Sequence, residues 1–309
     1  MPAPNVSIII PTHSRPHLLP RAVESARGAG RGVEVVVVDD ASGDETAEVC
    51  RSLEGVRYVR LDCNQGVAGA RNVGILSSTG EYISFLDDDD VRLPGSLDLQ
   101  VAALDAAPEA GLVYGRALIS GREGEGALRA YPERCPRGEV FWELLGRNFI
   151  PCGSAVFRRA CLLRAGMLDA SVPGVDDWDL WVRIAALYPV AALERPVMIW
   201  RRSAPGSGQG TSRADEIVTM ATRQFRCKWL KLRRASAAPA EARRAAARRF
   251  SESMGGHLAF ETLRALAGGH LGSARRNAAT ALGLHPLGAA RAAGTSATSF
   301  CRRSFRWRR

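Results

Sequence analysis

Lysine is nearly missing from this chain: Lys228 and Lys231 are the only two among 42 basic residues, and both fall late. Chemistry that needs a lysine in the first 200 residues therefore has none to use. The seven cysteines, at 50, 63, 135, 152, 161, 227 and 301, never form a CxxC pair. That spacing gives neither a zinc site nor a disulfide framework, and a reducing compartment fits it. Apolar runs are short, well under the roughly eighteen residues that a spanning helix needs. The opening Met-Pro-Ala-Pro-Asn has no charged leader region and no small-residue cleavage site, so no secretory signal is expected. Acidic residues are scarce in the last third. Residues 201–309 hold 5 Asp and Glu against 22 Arg and Lys, a net charge of +17. Residues 1–200 hold 27 against 20 Arg, a net −7. An acidic part is joined to a strongly basic one.

What is present first is alternation. Segments 6–10, 33–38, 56–61, 82–86 and 111–119 read as strands, with helices near 15–28, 44–54, 67–78 and 95–106 between them. The strands are continuously apolar rather than alternating, which implies a sheet covered on both faces. Strand–helix alternation implies parallel pairing through right-handed crossovers. Residues 120–150 read as a loop followed by a helix near 137–146. A short strand at 154–158, a helix at 178–187 and a last strand at 190–200 come next. A Pro/Gly/Ser stretch at 203–212 marks a change of character, and 213–234, 239–267 and 270–283 have helical spacing. The expected organisation is a mostly parallel α/β domain over 1–205 and an Arg-rich helical region over 206–309.

Acidic residues cluster where strands end. Asp87, Asp88, Asp89 and Asp90 follow the apolar run Tyr82-Ile83-Ser84-Phe85-Leu86 directly. Four like charges there call for a compensating cation, and a divalent metal already holding a phosphate is the usual one. An acidic loop can equally be a solvated turn. Asp39 and Asp40 end the second strand on the same sheet edge, where an acid can accept hydrogen bonds from a ribose or base, or cap the next helix. After the third strand, Gly66 and Gly69 permit tight turning and close helix packing, and Arg71 can face a diphosphate or simply solvent. Asp176 and Asp177 open a helix beside Trp178. Acids in a first turn favour the helix dipole, yet two adjacent carboxylates can also supply a general base.

Together these segments resemble the inverting family 2 glycosyltransferases, which have the GT-A fold, over about residues 5–205. The carrying motifs are Val6-Ser7-Ile8-Ile9-Ile10-Pro11-Thr12, Val35-Val36-Val37-Val38-Asp39-Asp40-Ala41-Ser42 and Gly66 with Ala70-Arg71-Asn72. Gly80-Glu81 leading into the four-aspartate run and Asp176-Asp177-Trp178-Asp179-Leu180-Trp181 complete the family's order. The resemblance implies that Pro11 and Thr12 line a base pocket, that Asp40 with Asp39 contacts the base, and that Arg71 lies near the nucleotide. It implies a DxD element in Asp87 and Asp89, with Asp89 foremost for Mn²⁺ or Mg²⁺ and Asp88 for the ribose. Asp177 matches the catalytic base, with Asp176 in place of the family's usual Glu. The reaction so implied moves a sugar from a nucleotide-diphosphate donor to an acceptor hydroxyl by single displacement with inversion. The acceptor would be a saccharide or a lipid-linked one, in envelope polysaccharide or glycolipid synthesis. One departure is Ser203, which stands where the family often has a metal- or phosphate-binding His, so Arg201 or Arg202 is the substitute to consider.

Other enzymes fit less well. A phosphatase of the haloacid-dehalogenase type needs a downstream lysine. A sugar-phosphate nucleotidyltransferase needs a Gly-rich loop with a lysine after the first strand, where this chain reads Pro11-Thr12-His13-Ser14-Arg15. A catalytically silent nucleotide-sugar-binding protein on the same scaffold is the alternative of a different class. For the basic region, a solvated helical face is the default. An anionic membrane surface is the second reading, because Trp229 and Leu230 sit among Arg226, Lys228, Lys231, Arg233 and Arg234, and Phe305 and Trp307 among terminal arginines. No nucleic-acid-binding motif accompanies the charge. The location this implies is cytoplasmic, with a peripheral position on the inner face of the membrane.

Overall fold

Runs of Val and Ile dictate the first strands, β1 (Val6–Thr12) and β2 (Val33–Asp39), which pair in parallel from Val6↔Val33 to Thr12↔Asp39. The computed structural model describes residues 5–120, 129–201 and 213–284. The chain divides into two compact units, Met1–Phe141 with Phe149–Gly210, and Trp142–Asn148 with Thr211–Arg309.

In the first unit β3 (Val56–Arg60) adds in parallel outside β2, and β4 (Tyr82–Phe85) in parallel on the other side of β1. The helices between them are α1 (Leu19–Arg27), α2 (Thr46–Ser52) and α3 (Gly66–Ser77). Beyond β4 lie β5 (Val91–Arg92), α4 (Ser96–Asp105), β6 (Leu112–Ser120) and β7 (Arg129–Tyr131). They are followed by α5 (Phe141–Gly146), which belongs to the second unit from Trp142 onward, and, in the first unit again, by β8 (Ala155–Arg158), α6 (Leu162–Ala165), α7 (Asp176–Ala185) and β9 (Val190–Arg201). The nine strands form one sheet in the order β3-β2-β1-β4-β8-β6-β9-β5, with β7 on β6.

Alternation along the chain misses one topological step. The fifth expected strand, β6, does not pair with β4, because β8 inserts between them antiparallel to both. Two short strands, β5 and β7, also escape the sequence pattern, since two or three residues carry no readable period. Gly74, rather than Gly69, lets α3 approach the sheet, because a Cβ there would collide with Ile9 and Val38. Ile8, Ile10, Val35, Val37, Leu19, Val23 and Leu104 are among the buried side chains of the core.

The second unit contains α8 (Ala214–Cys227), α9 (Arg233–Ser236), α10 (Ala240–Ala267) and α11 (Leu271–Leu284). The helical segment expected over 213–234 is interrupted. The backbone leaves helical geometry at Lys228 (φ −125°, ψ −59°) and makes one tight turn over Trp229–Lys231. Phe225 and Phe250 stack at 4.4 Å between α8 and α10. Trp229 is fully buried, so its indole is a core residue and not the lipid anchor that its basic neighbours implied. Phe305, Trp307, Arg202 and Ser203 lie outside the described residues. Among those described, no helix is long and apolar enough to cross a membrane.

Candidate active site

The four aspartates form a turn, not an extended run. After β4 the Leu86 N–H still bonds to Ile9 O at 3.0 Å, and the Asp90 N–H then closes back on Asp87 O at 3.0 Å. This reversal folds the loop so that carboxylate oxygens of Asp87, Asp89 and Asp90 lie within 4.8 Å of one another. Asp88 instead turns toward β1, accepting from Thr12 Oγ1 at 2.7 Å and facing Arg15 Nη2 at 3.0 Å. Burial pushes the Asp88 carboxyl up to about 7, against the opposing pull of Arg15 and Thr12. Asp90 is also raised well above the ordinary range, first by burial and next by the charge of Asp87. The Arg201 N–H, at 2.9 Å from Asp90 Oδ1, works against that shift. Three converging carboxylates, all-oxygen and largely buried, are a donor set for a hard divalent ion such as Mg²⁺ or Mn²⁺. The residues present fit the metal that the fold implies.

Arg71 joins this turn to α7. Its Nη2 donates to Asp87 Oδ1 at 2.7 Å and its Nη1 to Asp176 Oδ2 at 2.9 Å. The guanidinium also lies over the Phe85 ring, 5.2 Å from the centroid. Beneath it Phe85, Phe157 and Trp181 form a tilted aromatic cluster with centroids 5.5 to 6.3 Å apart. Trp181 thereby docks α7 on β4 and β8. On the far side Arg183 bonds Asp179 at 2.8 Å and Met167 O at 2.8 Å, holding the preceding loop to the helix. The helix start is thus fixed from both faces. There Asp177 is partly buried, and its Oδ1 accepts the Trp178 N–H at 2.6 Å. Burial, followed by the charge of Asp176, pushes the Asp177 carboxyl up to about 7, with Arg71 opposing.

At the β1 and β2 ends, Asp39 spends both oxygens within the protein, on Tyr58 Oη at 2.8 Å and on the Ser42 N–H at 2.9 Å. Asp40 Oδ1 accepts the Gln65 N–H at 2.7 Å, tying β2 to the start of α3. The two loops touch where Ser14 donates its N–H to Ser42 Oγ at 2.8 Å. Ser14 (φ 52°) and Ala41 (φ 61°) both hold the left-handed region, a strained backbone of the kind found at ligand sites.

A last wall is the turn Cys152–Ser154, held from behind by Arg92. This fully buried arginine donates to Gly153 O at 2.6 Å and to Gln100 Oε1 at 2.7 Å, and Gln100 bonds Ser154 O at 2.8 Å. Burial lowers Arg92 to about 9. Burial likewise raises the Cys152 thiol well above its usual range, with the charges of Arg71, Asp177 and Asp87 all felt there.

The structure therefore gathers Arg71, Asp87, Asp176 and Asp177 into one connected cluster, with Asp88 and Asp89 on the same turn. Thr12 reaches this cluster through Asp88, whereas Pro11 is buried inside β1 and Asp39 is occupied by Tyr58 and Ser42. Sequence reasoning missed Asp90 as a third oxygen donor, because only the turn shows that it doubles back beside Asp87. It also missed Arg15, which reads as an ordinary loop residue.

A curled, mostly parallel sheet with acidic turns at its carboxyl edge is the GT-A architecture, and solved structures of that class match it. Staphylococcus aureus TarS 1-349 in complex with UDP-GlcNAc superposes with a TM-score of 0.64 at 15% identity, over 96% of this chain and 92% of that one. The mannosyltransferase PcManGT of Pyrobaculum calidifontis, in complex with GDP-Man and Mn²⁺, gives 0.55 at 21% identity over 91% and 87%. Residues 7–164 match the model of glycosyl transferase family 2, and the chain belongs to that family. Over 107 residues it is 39% identical to the succinoglycan biosynthesis protein ExoO of Rhizobium meliloti, covering 34% of this chain and 31% of that one. Over 100 residues it is 36% identical to the GalNAc(5)-diNAcBac-PP-undecaprenol beta-1,3-glucosyltransferase of Campylobacter jejuni, covering 30% and 32%. The chain thus spans about a third of the length of these two relatives.

Proposed function

We propose that this chain is an inverting, metal-dependent glycosyltransferase that moves a hexosyl group from a nucleotide-diphosphate donor to an acceptor hydroxyl. The observation that carries this reading is the Arg71 bridge, which ties the acidic turn to the helix start that presents Asp177. Asp87, Asp89 and Asp90 would hold Mn²⁺ or Mg²⁺, and such an ion supplies charge neutralisation to a departing diphosphate. Asp177, poised near neutrality, takes the proton of the attacking hydroxyl, a contribution of roughly 10²–10⁴ in rate. Asp176 stays paired with Arg71, and its charge keeps Asp177 basic enough for that task. Thr12 and Asp40 would form the edge nearest a base, with Asp88 beside them for a ribose, while Pro11 and Asp39 would support that edge from within β1 and from the bonds to Tyr58 and Ser42. The names of the two relatives support an acceptor that is a saccharide or lipid-linked, and a place in polysaccharide synthesis.

The exposed cations Arg226, Lys231 and Arg233 would hold the second unit to an anionic membrane surface on the cytoplasmic side. Sedimentation with and without anionic liposomes checks this, and equal recovery in both removes the membrane from the proposal. For the reaction itself, the deciding experiment is calorimetric titration with UDP, GDP, dTDP and CMP, in Mn²⁺ and again in EDTA. Metal-dependent binding of one of them is expected; binding of none would overturn the transferase reading.

A further inference from the structure

Arg15 stands at the acidic turn without being part of it. It comes from the loop after β1, directly behind the strained Ser14, and its guanidinium is about four-fifths buried. Nη2 lies 3.0 Å from Asp88 Oδ1 and Nη1 lies 3.7 Å from Asp89 Oδ2. Asp89 is one of the three converging carboxylates, and both acids are almost wholly removed from solvent. A monovalent cation therefore already sits on one donor of the set and on the acid next to it. A divalent ion entering the same set meets that charge at close range, in a partly desolvated environment where Coulomb repulsion is poorly screened.

We propose that Arg15 is a built-in counter-cation of the acidic turn, which disfavours a metal ion arriving alone and makes its binding conditional on an accompanying diphosphate. The anion resolves the conflict, because two positive charges that repel each other across Asp89 both gain from an adjacent diphosphate. The metal-free turn is meanwhile kept from self-repulsion. Metal and nucleotide would then bind as one unit. This rests on the assignment of Asp87, Asp89 and Asp90 as metal donors in the reading above.

The test is Mn²⁺ binding, followed by the electron paramagnetic resonance of free Mn²⁺, on the full chain and on Arg15→Gln and Arg15→Lys, each with and without UDP or GDP. Arg15→Gln should bind Mn²⁺ alone on the order of tenfold more tightly than the parent chain. Its gain on adding the nucleotide should shrink correspondingly. Arg15→Lys keeps the charge and should stay close to the parent, which separates a charge effect from a disturbed fold. If the parent binds Mn²⁺ with nucleotide, yet Arg15→Gln binds the ion alone no more tightly than the parent, the metal site stands and the counter-cation falls. If no form binds Mn²⁺ under any condition, the metal assignment itself fails and takes this inference with it.

Discussion

Arg71 donates to Asp176 at 2.9 Å across 105 residues of sequence, and the same guanidinium bonds Asp87 at 2.7 Å. One buried cation thus locks α3, the acidic turn and the start of α7 into a single arrangement. Arg71→Met would leave Asp176 buried and unpaired, and breaking such a pair costs about 3–5 kcal/mol. Urea denaturation should show that loss, with transfer activity falling as well. Arg71→Lys should recover little, because a point-charge ammonium does not span two carboxylates as a planar fork does. The double variant Arg71→Met with Asp176→Asn should be less destabilised than Arg71→Met alone, because the buried Asp176 charge is no longer left stranded, although Asp87 still loses its partner. Strict additivity of the two substitutions would contradict the bridge.

As the proposed base, Asp177 would give the reaction a pH dependence of definite sign. A base works only when deprotonated, and this carboxyl is raised to about 7 by burial and by Asp176. The rate should therefore hold above neutral pH and fall below it, by about tenfold for each further unit of acid. Asp177→Asn should lose about 10²–10⁴ of the rate while retaining nucleotide affinity. Asp176→Asn, which removes the charge that raises Asp177, should shift the acid limb to lower pH. A limb that stays in place in Asp176→Asn would mean that another group is titrating.

The main parts of this site were legible in sequence because they sit at strand ends. Asp39, Asp40 and the four aspartates could be placed on one sheet edge from the apolar runs before them, and the acids of α7 from the helix they open. What could not be read is what each carboxylate touches. Asp39 looks as available as Asp40, but Tyr58 and Ser42 occupy it. Asp90 looks like the tail of the acidic run, yet an i to i+3 turn returns it to Asp87. Trp229 looks like an interfacial aromatic among cations, but tertiary packing buries it. Insertion of β8 between β4 and β6 was hidden for a related reason, since four residues do not announce their partner. Long-range pairing decided the cases of Tyr58, Trp229 and β8, and the Asp90 turn, though local, has no signature in a run of four identical residues.

Asp90 separates the expected two-acid element from a three-acid site. In Asp90→Asn the amide oxygen still accepts the Arg201 N–H, so the turn should persist and thermal stability should hold. With one anionic donor fewer, Mn²⁺ affinity in the presence of nucleotide should fall by about tenfold or more. An unchanged affinity would return the metal to Asp87 and Asp89 alone.

Arg92 differs from Arg71 in kind, and a substitution should show it. Among the described residues the Arg92 guanidinium bonds only neutral oxygens, those of Gly153 and Gln100, and burial lowers it to about 9. Arg92→Met strands no buried carboxylate. It leaves unpaired carbonyls, each a loss of about 1–3 kcal/mol, and it also relieves the cost of burying an ion. The net destabilisation should therefore be smaller than for Arg71→Met. The functional effect should fall on the turn Cys152–Ser154, which loses its backing from Arg92 directly and from Gln100 indirectly. If that turn faces the acceptor, the KM for acceptor should rise severalfold, by about 1 kcal/mol or more, while nucleotide affinity stays within about twofold. Equal losses in both would mean that Arg92 acts through Asp90, two residues before it, and that the turn has no separate role in acceptor binding.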